Sequence, residues 1–193
     1  MPSTSPAIEF DSVTRSFGSI TALSDLNIEV HQGELYGFLG PNGAGKTTAI
    51  GLVMNFLKPT NGTIRVFGQD TQKDELAVKK RTGALPQGFT PYAKLTGYEH
   101  LKFVCSVRGV ETEPEYFLER VGLLDAADQK AGNYSQGMTR RLGLSMAIVG
   151  EPDLLILDEP IAGLDPNGAA RLREIIREQN ENGTTVFFSS IRL

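Results

Sequence analysis

The apolar positions of this chain fall into two rhythms. "AIEFDSV" and "LNIEV" alternate apolar with polar residues and predict two strands with one buried face each. "ELYGFLG" is apolar almost throughout and predicts a buried strand. So does "DLLILDEP", whose apolar run stops at two carboxylates as a parallel strand buried on both faces would. "TIRVFG" and the stretch Thr185 to Phe188 predict two more short strands. Between these, apolar residues recur at helical spacing from Gly45 to Phe56, and Lys58, Pro59, Asn61 and Gly62 close that helix with a turn. "TGYEHLKFVCSVRG" opens with Thr96 and Glu99 at capping-box spacing, and "TEPEYFLERVG" repeats the spacing with Thr112 and Glu115. Ser135 is a candidate N-cap for a third helix ending at Gly150, and a fourth runs from about Gly168 to Asn180.

Strands alternating with helices predict an α/β fold with a mostly parallel sheet, into which a helical lobe, about 91–150, is inserted. No repeat or linker breaks the chain, so residues 1–193 are expected to form one domain behind a flexible leader, 1–6. At 193 residues and 40% hydrophobic it can bury a real core, and a net charge of −4 gives no electrostatic case for a nucleic-acid partner. The single cysteine, Cys105, makes neither an intrachain disulfide nor a thiolate cluster and is expected to fill core. The first residues lack a signal peptide's basic and apolar regions, and no apolar run approaches the ~18 residues of a membrane span, so any membrane part must come from another subunit.

The strongest chemical signal is "GPNGAGKTT", comprising Gly40, Pro41, Asn42, Gly43, Ala44, Gly45, Lys46, Thr47 and Thr48. It follows a predicted strand and opens a predicted helix, so successive backbone N–H groups can surround a β-phosphate while the helix N-terminus favours its charge. Lys46 is then placed for the β- and γ-phosphates, and the Thr47 hydroxyl for Mg²⁺. Asp158 and Glu159 end the "LLILDEP" strand at the sheet edge where such folds bind ligands, and offer a second magnesium contact and a group to orient water.

With these residues in place, the chain resembles the nucleotide-binding subunits of ATP-binding cassette transporters over nearly its whole length, the export-type ATPases most of all. "RSFGSITAL" is similar to the segment whose aromatic stacks on adenine, which nominates Phe17. "GALPQ" resembles the loop whose glutamine senses Mg²⁺ and the attacking water, which nominates Gln87 for catalysis and metal. "NYSQGMTRRLGLS" resembles the family signature, in which Ser135 and Gly137 would contact the γ-phosphate held by an opposing subunit. It departs from the common form at Gln136 and Met138. "AGLDP" resembles the loop that crosses the dimer interface and nominates Asp165, and "LTGYEHL" resembles the region that receives a membrane subunit's coupling helix. The interval from Lys46 to Asp158 leaves room for one helical lobe and too little for a long coiled-coil arm.

The resemblance implies a P-loop NTPase core with an N-terminal antiparallel β subdomain, ATP and Mg²⁺ as ligands, and Glu159, Lys46 and Gln87 as the catalytic set. It also implies a membrane-spanning transporter subunit and a second ATP-binding subunit, identical or not, as partners, with no nucleic acid. The expected location is cytoplasmic, peripheral at the inner face of the membrane. Where the family pattern has "SSH" after its last catalytic strand, this chain has Ser189, Ser190 and Ile191. Neither His31 nor His100 can substitute by position, and both are expected at the surface. Together with the absence of the family's C-terminal strands and closing helix, this raises the expectation of a truncated cassette in which ATP binding suffers less than hydrolysis. A third possibility is a soluble cassette ATPase acting on ribosomes or DNA, but such relatives usually carry two cassettes and this chain has one phosphate loop.

Overall fold

The computed structural model describes residues 5–190; the first part of the expected leader and the segment 191–193, with the Ile191 substitution, lie outside the described residues. Two four-stranded sheets organise the chain. β1 (Ile8–Phe17), β2 (Ile20–Val30), β4 (Asn61–Val66) and β5 (Gln69–Asp70) form an antiparallel sheet in the order β2-β1-β4-β5. β3 (Leu35–Leu39), β6 (Thr82–Leu85), β7 (Leu154–Leu157) and β8 (Thr185–Ser190) form a parallel sheet in the order β3-β8-β7-β6.

All four residues of β7 are buried, as its unbroken apolar run requires of a central parallel strand. Alternation along it separates two cores. Leu154 and Ile156 join Phe187 of β8, the antiparallel sheet and α1 (Lys46–Val53). Leu155 and Leu157 join Val186, α6 (Pro166–Glu181) and the helices inserted between β6 and β7. Those are α3 (Gly97–Arg108), α4 (Pro114–Arg120) and α5 (Gln136–Ile148), within the stretch expected to form the lobe.

Two of these expectations need correction. β3 lies at the sheet edge, and Leu35 and Leu39 are exposed while only Tyr36 and Phe38 turn toward Phe187. Thr96 and Glu99 complete a capping box at α3, but α4 has Glu113 at its N-cap, with no side-chain cap bond, and Pro114 at its start; Thr112 does not cap it. The short strand β6 and the helix α2 (Glu75–Arg81) had no clear periodic signal, because each is too brief to display a period.

Candidate nucleotide site

The phosphate-type loop leaves β3 at Gly40, whose N–H donates to the Ser190 carbonyl at 3.2 Å and so fixes the loop to the end of β8. It closes at Gly45, held at φ 81°; a Cβ there would lie 2.5 Å from Leu23 Cδ2 and 2.7 Å from the Ala22 carbonyl oxygen. Only glycine satisfies both demands. Gly45 is also the N-cap of α1 and supplies no side-chain cap, so the positive end of that helix faces the cleft ready for an anion. Lys46, almost fully buried, donates from Nζ to Gly40 O at 2.7 Å and Pro41 O at 3.0 Å, and stands 3.4 Å from Glu159 Oε1.

The carboxylates are held just as closely. Asp158 N–H donates to Leu85 O at 2.9 Å, joining the ends of β7 and β6. Ser189 Oγ donates to Asp158 Oδ1 at 2.6 Å and accepts from Glu159 N–H at 2.9 Å. Glu159 adopts φ 48°, a left-handed conformation that costs on the order of 1–3 kcal/mol in a residue with a Cβ, and in it the side chain reaches Lys46. The strain sits where the two candidate catalytic groups meet.

Asn42, Gly43, Gly45, Lys46, Thr47, Thr48, Gln87 and Glu159 line one cleft of about 500 Å³, with Ala22 at its edge. Asp158, next to Glu159 in the chain, is buried and does not line that cleft. No group of three or more His, Cys, Asp or Glu side chains that could hold a metal stands together among the described residues. A hydroxyl at Thr47 and one carboxylate at Asp158 suit a hard cation that takes its remaining oxygens from phosphate and water.

Other nominated residues lie outside the cleft. Phe17 is exposed at the β1–β2 hairpin, with the Arg15 guanidinium 4.3 Å above its ring, and is not core. Ser135 caps α5, its Oγ accepting from Met138 N–H at 3.2 Å, and Gly137 lies in that first turn. Asp165 caps α6 by accepting from Asn167 and Gly168 N–H at 3.0 Å. The Gln136 amide lies against Gly163, joining the signature-like turn to the "AGLDP" loop. His31 is exposed as expected, but His100 is buried: Nε2 accepts from Tyr92 N–H at 3.0 Å and Nδ1 meets Thr96 O at 2.7 Å.

Two residues at the site had not been singled out. In sequence Ser189 is only the first serine of the pair that precedes Ile191; that its hydroxyl meets the Asp158 carboxylate and the Glu159 N–H depends on the pairing of β7 with β8. Arg140 is buried on α5 and donates to Pro86 O at 3.1 Å and Gln87 O at 2.5 Å. Burial lowers its pKa from the ordinary arginine value, an effect that the charge of Asp158 partly offsets. A charged position within an amphipathic helix pattern ordinarily signals a solvated face, which concealed it.

Residues 23–162, spanning both the loop and the carboxylate pair, match the family model described as ABC transporter. The chain belongs to the ABC transporter family. This ABC family member is 41% identical over 186 residues to the bacitracin transport ATP-binding protein BcrA of Enterococcus faecalis, an alignment covering 95% of this chain and 60% of that protein. The chain thus spans about 60% of the length of the curated relatives it matches. A solved ATP-binding subunit of an ABC transporter superposes with TM-score 0.85 at 28% identity, covering 97% of this chain and 80% of that one. A dimeric bacterial ABC transporter cassette shares the fold at TM-score 0.86 and 22% identity, over 96% of this chain and 88% of that one. The ABC fold assignment therefore rests on both sequence and shape. No helix among the described residues is long and apolar enough to cross a membrane.

Proposed function

We propose that this chain, as a single cassette domain with its helical lobe near residues 91–150, is the ATP-binding and ATP-hydrolysing part of an ABC transporter. The observation that carries this reading is the meeting of Lys46 and Glu159, 3.4 Å apart, in a cleft lined by the loop at 42–48 and by Gln87. Lys46 exchanges its contacts with the Gly40 and Pro41 carbonyls for the β- and γ-phosphates of ATP, because a charged donor is better matched by phosphate than by neutral carbonyls. That exchange also frees Glu159 to accept a hydrogen bond from the attacking water and orient it in line with the γ-phosphorus. Thr47, Asp158 and Gln87 would hold Mg²⁺, which when bound supplies charge neutralisation between the β- and γ-phosphates. Phe17 supports the adenine end by its exposed ring.

Ser135, Gly137 and Asp165 do not line this cleft, which supports a role toward a second subunit's nucleotide in a head-to-tail pair of identical or related subunits. An apolar groove of about 360 Å³ between α1, α2 and the lobe, lined by Val53, Phe56, Val78, Phe89, Val104 and Met146, supports docking of a separate membrane-spanning subunit. The location that follows is the cytoplasmic face of the membrane, held there by that partner. BcrA is a bacitracin transport protein, and transport of a related compound is the corresponding proposal here.

Equilibrium binding and steady-state turnover of MgATP test the reading together. Lys46→Ala abolishes binding, whereas Glu159→Gln binds and loses turnover; undiminished turnover in Glu159→Gln would remove Glu159 from its role. A second reading, binding with little turnover, is favoured by Ile191 where the family pattern has histidine. Hydrolysis by the purified chain at roughly 1 s⁻¹ or faster rejects it.

A further inference from the structure

We infer that Arg140 is a positioning residue that fastens the Gln87 loop to the start of α5, so that the contact to the chain's own nucleotide and the segment offered to an opposing subunit move as one unit. The inference rests on the proposed roles of Gln87, Ser135 and Gly137, and adds to them a link that those roles do not require.

Two independent features make the link. The first is polar: the Arg140 guanidinium, buried, donates through both terminal nitrogens to the successive carbonyls of Pro86 and Gln87. The second is steric: one helical turn further along, Gly143 lets α5 approach so closely that a Cβ there would lie 2.6 Å from Leu85 Cδ1 and 2.8 Å from Phe89 Cδ1. The same helix face therefore grips the segment 85–89 at several points. Beside this grip lies a polar cleft of about 370 Å³, lined by Gln87, Thr90, Tyr134, Gln136 and Arg140 itself. Arg140 thus joins the loop side of that cleft to its α5 side.

The consequence follows from helix rigidity. Arg140 is less than two turns from the Ser135 cap, so a displacement of the Gln87 carbonyl is passed to the Ser135–Gly137 turn through a short hydrogen-bonded rod. A planar guanidinium can hold two carbonyls in fixed geometry, whereas a lysine ammonium at that position retains the charge without the fork. Substituting lysine therefore separates charge from clamping.

Hydrogen exchange of the unliganded chain, with MgATP and metal-free ATP affinities, tests this. In Arg140→Met, exchange speeds at least tenfold in both 86–90 and 135–139 while β1 and β2 keep wild-type protection. Affinity for MgATP falls at least fivefold while affinity for ATP in EDTA stays within twofold. Arg140→Lys resembles Arg140→Met. Should Arg140→Met fail to fold, Arg140→Gln, which keeps one donor, carries the same comparison at smaller amplitude. Loosening of only one of the two segments, unchanged exchange in both, or an equal loss of affinity with and without Mg²⁺ would overturn the inference. A wild-type chain that binds no ATP would instead reject the proposed function, and the exchange measurement would still decide the role of Arg140.

Discussion

Ser189 Oγ stands between the two adjacent acidic residues, donating to Asp158 Oδ1 at 2.6 Å and accepting from Glu159 N–H at 2.9 Å, with all three residues buried. One hydroxyl thus satisfies a carboxylate and an amide that have little other access to water. Ser189→Ala removes both bonds and is expected to cost about 1–3 kcal/mol, since the buried Glu159 N–H and an Asp158 oxygen lose a partner. Urea denaturation should show a lower midpoint with unchanged slope, and MgATP affinity should fall with it. A midpoint identical to wild type would show that water replaces the hydroxyl.

The Lys46–Glu159 pair has both side chains more than nine-tenths buried. Removing one partner of such a pair strands the other, at a cost of roughly 3–5 kcal/mol. Lys46→Met is therefore expected to destabilise the free chain markedly, and Lys46→Met with Glu159→Gln to recover much of the loss. A double-mutant cycle measured by denaturation checks this, and strictly additive effects would contradict it.

Thr96 and Thr112 share a capping-box spacing, but only Thr96 caps a helix. Thr96→Ala should cost about 1 kcal/mol, whereas Thr112→Ala should leave stability almost unchanged. Thermal unfolding of the two variants side by side distinguishes them.

Burial pushes the Cys105 thiol above its ordinary pKa, with the charge of Glu113 adding to the rise and a backbone hydrogen bond opposing it. The folded state therefore holds the proton more tightly than the unfolded one. Its contribution to stability is complete below the ordinary thiol value and is lost as pH rises through the raised folded value. Cys105→Ala should lack that component of the alkaline decline. Native alkylation near pH 8 should be slower than in denaturant, because the thiolate is the reactive form.

The phosphate-type loop was legible because its glycines and Lys46 are contiguous, and backbone geometry follows from such a run directly. The central strand β7 was legible for a similar reason: a strand buried on both faces has to be apolar at every position. β3 carried nearly the same signal, yet lies at an edge with Leu35 and Leu39 exposed, because strand order is a property of the assembled sheet. His100 shows the converse. A lone histidine in a polar stretch suggests the surface, and only the fold of the 92–100 segment encloses it with two backbone partners.

The sequence by itself determined the local chemistry: which residues form the phosphate-type loop, where two carboxylates end a strand, and which side chains can cap α3 and α5. These are short-range matters, settled within a few residues by φ/ψ limits and hydrogen-bonding capacity. Tertiary structure alone decided that Lys46 meets Glu159, that Ser189 bridges Asp158 and Glu159, and that Arg140 grips the Gln87 loop. Each of those contacts joins residues more than thirty positions apart or on different elements, and it exists only once β8 has paired beside β7 and α5 has packed against β6.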